Sequence, residues 1–295
     1  MYSSSARLRT LILSCAVLLG ALLVAAPMAS AAKYDLGVGD SPLFPAEESA
    51  PLHAVASRVV IDPTTSLAHY DAQIAAHRAI GQLPQLVVGG TGTAHHKSTA
   101  KVVSTAVAAA KRWKPVYSVS VVNEPDTAGV SVCAYAKTYL SAYGKLRAAG
   151  VKRVLFGEFA PHNALRWQRA TLTRCGATSK KLRSKVGNVS WHAYGTGMDL
   201  AAPLSSLTRQ LTHHRPKLYV TEAGFVLRHR SGNVLAAGVT DGVAWWRHAL
   251  KVASAHLTEI VAWDIRARPK AVWDSSLLDE AGRPRPAFAV IANRR

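Results

Sequence analysis

The chain has 295 residues, with 36 lysines and arginines against 17 aspartates and glutamates, for a formal net charge of +19. Its apolar fraction of 49% suffices for one large domain with a continuous core, and after the first 32 residues no stretch is apolar enough to span a membrane. So basic a chain suits an anionic wall polymer, an acidic sugar or a nucleic acid as partner.

Residues 1–32 open with a polar stretch holding Arg7 and Arg9, run through the apolar LILSCAVLLGALLVAA and end in Ala29-Ser30-Ala31. This order reads as a secretory signal peptide. The rival is a membrane anchor, but the apolar run is about 16 residues where about 20 are needed, and Pro27 interrupts its end. Cys15 sits too early in that run for a lipoprotein. About 263 residues remain for a secreted domain, 33–295, with a net charge of about +16 when Arg7, Arg9 and Lys33 are discounted. In an oxidising compartment Cys133 and Cys175 either close a bridge or stay as two thiols.

Short β-branched or apolar runs then recur every 25 to 40 residues or so, each followed by an Ala-rich stretch with helical spacing. They predict strands at Tyr34–Val38, Arg58–Asp62, Gln85–Gly89, Val116–Val122, Arg153–Gly157, Asn188–Ala193, Lys217–Thr221 and Glu259–Asp264. The helices between them include YDAQIAAHRAIG and CAYAKTYLSAYGKLRAAG, which stop at Gly81 and Gly150 as glycine caps require. Eight such βα units close most economically into a (β/α)8 barrel, a single α/β domain with its reactive groups on the loops after the strands. A doubly wound sheet is the competing architecture, suggested by GVGD at Gly37 to Asp40. The third glycine of a dinucleotide fingerprint is missing there, since Ser41-Pro42 follows.

Glu124 and Glu222 stand at the carboxyl ends of the fourth and seventh strands, in VYSVSVVNEPD and KLYVTEAGF. A glycosidic bond has no strongly electrophilic carbonyl. Its cleavage therefore needs a proton for the leaving oxygen and negative charge opposite the oxocarbenium face, which two carboxyls across one sugar supply.

Together with His192-Ala193-Tyr194 after strand six and Trp263 in strand eight, Asn123-Glu124-Pro125 and Thr221-Glu222-Ala223-Gly224 make the chain resemble the retaining clan A glycoside hydrolases. The closing WDSSLLD and GRPRPAF, from Trp273 to Phe288, look like the tail of secreted actinobacterial members. The resemblance spans nearly all of residues 33–295. It implies a retaining β-glycosidase acting by double displacement on a β-linked oligo- or polysaccharide, with no cofactor and no metal. Carried over by position, Glu124 is the acid/base and Glu222 the nucleophile, and the anionic Glu222 is expected to raise the pKa of Glu124. Asn123 then meets the sugar 2-hydroxyl, Tyr194 holds the Glu222 carboxylate, His192 contacts sugar or acid, and Trp263 floors the sugar ring. The resemblance also asks for an inward arginine on strand two, and Arg58 is the candidate there.

Several side chains keep a structural alternative: His192 as a satisfied core histidine, Trp263 as barrel packing, Arg58 as a solvent-facing strand start. Glu158, in GEFAP, also follows a strand; binding substrate or hydrogen-bonding near the acid is open to it, and a structural role at the barrel top is the expectation. Asp126 is expected to cap the next helix. Neither His95-His96 nor His213-His214 has partners at ligand spacing, so no metal site is expected. Val122 stands where many relatives carry an aromatic, which puts subsites beyond the reacting sugar in doubt. The cations are spread along the expected helices, so a basic solvated surface is expected; the alternative to a glycosidase is a non-catalytic barrel that binds an anionic cell-wall polymer through that surface. No nucleic-acid recognition motif occurs, and a monomer is expected.

Overall fold

A computed structural model describes residues 33–39, 46–89, 99–227, 239–267 and 274–294. Residues 1–32, on which the expected signal peptide falls, and Asp40, His95, His96 and Trp273 lie outside these. All eight expected strands are present: β1 (Asp35–Gly39), β2 (Ala56–Ile61), β3 (Leu83–Val88), β4 (Ser118–Val121), β5 (Phe156–Phe159), β6 (Asn188–Tyr194), β7 (Lys217–Gly224) and β8 (Glu259–Trp263). They pair in parallel in the order β4-β3-β2-β1-β8-β7-β6-β5. A bridge between Val119 and Val154 closes the ring, with Val119 N donating to Arg153 O and Leu155 N donating to Val119 O, both at 2.9 Å. Because β1 lies between β2 and β8 and the two ends meet, the sheet is a (β/α)8 barrel and the doubly wound alternative falls.

The helices are α1 (Asp71–Ala79), α2 (Thr99–Arg112), α3 (Val132–Ala148), α4 (Ala164–Thr173), α5 (Ala177–Arg183), α6 (Ala201–Thr212), α7 (Val239–His256) and α8 (Pro286–Ala292). As expected, Gly81 and Gly150 follow α1 and α3 at φ +83° and +88°, a conformation in which a side chain is strained. Ser131 caps α3, its hydroxyl accepting from Ala134 N. Asp126 is therefore not the cap: its carboxylate accepts from Ala160 N at 3.1 Å and ties the loop after β4 to the end of β5.

Outward-facing Val59, Ile61, Leu86, Val88, Val119 and Val121 join the helices in one apolar shell. Ala56, Tyr117, Leu155, Tyr219 and Leu83 form a separate plug at the lower end of the barrel. Above the plug the interior turns polar. Gln85 Nε2 on β3 donates to Glu259 Oε2 on β8 at 2.8 Å, and burial pushes the Glu259 carboxyl well above the usual carboxylate range.

Cys133, at the start of α3, is bridged to Cys175, between α4 and α5, with the two Cα atoms 5.4 Å apart. The bridge closes a loop of 42 residues, so the double substitution Cys133→Ser/Cys175→Ser is expected to lower unfolding free energy by about 4 kcal/mol. Denaturant titration of the two proteins checks this; equal midpoints would contradict it.

Candidate active site

The upper ends of six strands bring the candidate residues to one point. On β2, Ala56, Arg58 and Val60 share a side, and Arg58 is fully buried within the barrel. It does not face solvent. Its position requires Gly39 beside it on β1: a Cβ there would lie 2.4 Å from the Trp263 ring and 3.2 Å from Arg58 Cβ. Trp263, at the end of β8 and half-buried, thus lies over Arg58, whose guanidinium carbon is 4.8 Å from the ring centroid.

β4 ends at Val121, and the chain then curls. Val122 has φ +64° and Glu124 φ +44°, which is uncommon for non-glycine residues and strained for a β-branched one. The curl is anchored on both sides: Asn123 N donates to Gly89 O at 2.8 Å and Glu124 N donates to Glu158 O at 2.9 Å. Glu158, on β5, has φ +58°. Strain stored at the ends of two adjacent strands is a mark of a functional site, and here both strained glutamates point into it.

Glu222 reaches the site through an irregularity in β7. Trp191 pairs with Val220 but His192 pairs with Glu222, so Thr221 is an extra residue in the ladder. Such a bulge re-aims the side chains after it. Thr221 and Glu222, neighbours in sequence, both face the interior: Thr221 Oγ1 donates to Glu158 Oε2 at 3.0 Å and Tyr194 OH donates to Glu222 Oε2 at 2.9 Å. β7 also runs on to Gly224, three residues beyond the expected end.

The result is one hydrogen-bonded cluster. Arg58 Nη2 donates to Asn123 Oδ1 at 2.7 Å and to Glu158 Oε2 at 2.9 Å. Arg58 Nη1 lies 2.9 Å from Glu222 Oε1, an ion pair by distance without the alignment of a hydrogen bond. His192 Nδ1 is 2.8 Å from Glu124 Oε1 and 3.3 Å from Glu222 Oε2, and its Nε2 is 3.4 Å from Glu158 Oε2. Ser190 Oγ donates to Glu158 Oε1 at 3.0 Å, and Thr127 Oγ1 to Glu124 Oε2 at 3.2 Å. All seven expected site residues meet here. Glu158, assigned from sequence to the barrel top, is a fully buried hub beneath them. Its supports are Ser190, two positions before His192, and Thr221, which the Thr221-Glu222 motif contains without a role of its own.

Three carboxylates around one imidazole decide the charges. Burial opposes protonation of His192, but Glu222, Glu124 and Glu158 outweigh it and raise its pKa to about 10. Burial likewise opposes ionisation of Glu158, yet Arg58 and His192 hold its carboxyl at about 2. For Glu124 burial again pushes upward, but the hydrogen bond and charge of His192 leave its carboxyl below the ordinary glutamate value. The expected upward shift of Glu124 is thus reversed, because the cation hydrogen-bonded to it acts at shorter range than the neighbouring anion.

Glu124, His192 and Glu222 each offer an atom within 4.8 Å of the others, a spacing that a cation could bridge. The positive charge such an ion would bring is already supplied by Arg58 and protonated His192. His213 and His214 lie in an exposed turn after α6.

No protein-family model and no curated protein sequence matches the chain. Solved structures do. A psychrophilic glycoside hydrolase family 10 endo-β-1,4-xylanase aligns over 88% of this chain and 96% of its own, at 13% identity and TM-score 0.62. A fungal β-1,4-galactanase aligns over 88% and 98%, at 11% identity and TM-score 0.66. A glucosidase from Croceicoccus marinus gives TM-score 0.68 at 11% identity over 87% of this chain, which spans 64% of the glucosidase's length. At such identities what is shared is the fold: the chain is a (β/α)8 barrel similar to those of these glycoside-cleaving enzymes.

Proposed function

We propose that the protein is a secreted retaining β-glycosidase of clan A type, with Glu222 as nucleophile and Glu124 as acid/base. The observation that carries this reading is the spacing of the two glutamates, whose nearest oxygens are within 4.8 Å. Retaining enzymes hold their carboxyls about 5–5.5 Å apart, and inverting ones about 6.5–9.5 Å to leave room for a water. The leader and the disulfide support export.

In the first step an oxygen of Glu222 bonds to the anomeric carbon as the glycosidic C–O bond breaks, and the leaving oxygen takes a proton from Glu124. Arg58 and Tyr194 hold Glu222 so that its attacking oxygen is oriented before substrate arrives. The proton lies between Glu124 and His192, on Nδ1 in the resting site; substrate that displaces water makes the separated charges less favourable and moves it to Glu124 Oε1. In the second step Glu124 takes a proton from water, the water oxygen bonds to the anomeric carbon, and Glu222 leaves as carboxylate. Asn123 has its carbonyl engaged by Arg58, which leaves its amide hydrogens for the sugar 2-hydroxyl. Trp263 offers an apolar face to the ring.

Incubation of the protein with aryl β-xyloside, β-galactoside, β-mannoside and β-glucoside, and with the corresponding β-1,4 polymers, is expected to release phenol or reducing sugar from at least one. Turnover that survives in Glu124→Gln/Glu222→Gln would contradict the assignment.

A further inference from the structure

Between Asp71 and Asp199 the only acidic residues are Glu124, Asp126 and Glu158, and all three belong to the upper end of the barrel. The four helices in that stretch, α2 to α5, carry eleven lysines and arginines and no acid. They are neighbours around the barrel, so cations that look scattered in sequence form one cationic side in space. Helix-dipole complementarity accounts for Lys111 and Lys145 at helix C-termini. It does not account for first turns without an acid in all four helices, where negative charge would be favourable.

On this side the surface is concave. A groove of about 550 Å³ between α2 and α3 is flanked by Lys111 and Lys145. It meets, at Ala149, a second hollow of about 410 Å³ flanked by Lys114, Lys152 and Arg153. Lys111, Lys114, Lys145 and Lys152 are exposed, and none forms an ion pair with an acid among the described residues. The hollow is lined by Leu83, Tyr117 and Val151, which precede or open β3, β4 and β5, so the groove lies at the end of the barrel opposite Glu124 and Glu222.

We infer that this groove is a docking surface for a linear sugar- or polyol-phosphodiester polymer, held apart from the catalytic mouth. Its four exposed cations are lysines, compact point charges that can each meet one phosphate without the planar geometry of an arginine fork. Among the described residues the one aromatic ring lining it, Tyr117, is covered by the Arg153 guanidinium at 4.2 Å and offers no stacking platform, which disfavours a single-stranded nucleic acid. The inference does not depend on the catalytic reading.

The test is fluorescence-polarisation binding of labelled poly(glycerol phosphate) to the chain without its leader. It compares Lys111→Gln/Lys114→Gln/Lys145→Gln/Lys152→Gln with an equal charge loss elsewhere, Arg209→Gln/Lys217→Gln/Arg247→Gln/Lys251→Gln. Circular dichroism establishes that both remain folded; a groove variant that does not fold is replaced by the four single substitutions. The groove variant is expected to bind roughly tenfold or more weakly and with a shallower dependence on salt, and the second variant to bind nearly as the parent. Equal losses in both variants, no binding by the parent, or tighter binding of single-stranded DNA of equal charge would overturn it.

Discussion

Glu222→Gln is expected to lower the rate of hydrolysis of an aryl β-glycoside by roughly 10⁴-fold or more, with little loss of fold. The amide has the size and the hydrogen-bond acceptor that Tyr194 needs, but its oxygen is a poor nucleophile, so the first covalent bond does not form. Glu124→Gln is expected to behave differently. A leaving group that is already acidic, such as dinitrophenolate, needs no proton, so with that substrate formation of the intermediate is largely spared and its breakdown becomes slow. Added azide then attacks the intermediate without a base and restores turnover. Kinetics with two leaving groups, with and without azide, check both glutamates; azide rescue of neither, or similar losses for both leaving groups in Glu124→Gln, would oppose the division of roles.

Arg58→Met is expected to lower stability by about 3–5 kcal/mol, because it strips the cation from two buried carboxylates, Glu158 and Glu222, each 2.9 Å away. The sign of its pH dependence follows from Glu158. That carboxyl sits at about 2 in the folded chain and near 4.3 in an unfolded one. Its contribution, roughly 3 kcal/mol, is therefore complete above about pH 4.3 and lost as pH falls toward 2. His192 works in the opposite window: raised to about 10, it contributes fully below about pH 6.5 and loses that contribution as pH rises through 10. The parent is expected to be most stable between these limits, and Arg58→Met to lose much of the acid limb. Denaturant midpoints measured from pH 2 to 10 decide it; an unchanged acid limb in the variant would contradict the account.

The barrel was legible because buried parallel strands read as unbroken apolar runs, and each of the eight is followed by chain polar enough to mark its end. Strand ends were less so. β4 and β5 are shifted or shortened where Val122, Gly157 and Glu158 take positive φ, and nothing in local propensity announces a strained turn. The Asn123-Glu124 and Glu222 motifs pointed to side chains that the fold brings into one cluster, because both stand at carboxyl ends of strands that share the barrel mouth. Glu158 was underrated since its importance lies in partners from β2, β6 and β7, brought together only by closure of the barrel. The ionisation of Glu124 failed as an expectation for a related reason: sequence offers the two glutamates, whereas the imidazole that decides the proton is set 2.8 Å away by β6. The cationic side escaped notice because helices α2 to α5 are neighbours only in the folded barrel.

The most direct measurement is mass spectrometry of the protein after reaction with a 2-deoxy-2-fluoro aryl β-glycoside of a sugar that the parent turns over. Fluorine at C2 destabilises the oxocarbenium-like transition states of both steps and the activated aryl leaving group restores the first, so a retaining enzyme accumulates its intermediate. The account predicts a single glycosyl adduct, mapped by peptide sequencing to Glu222 and absent in Glu222→Gln. An adduct on Glu124 or on any other residue, or steady turnover with inverted product and no adduct, would contradict it.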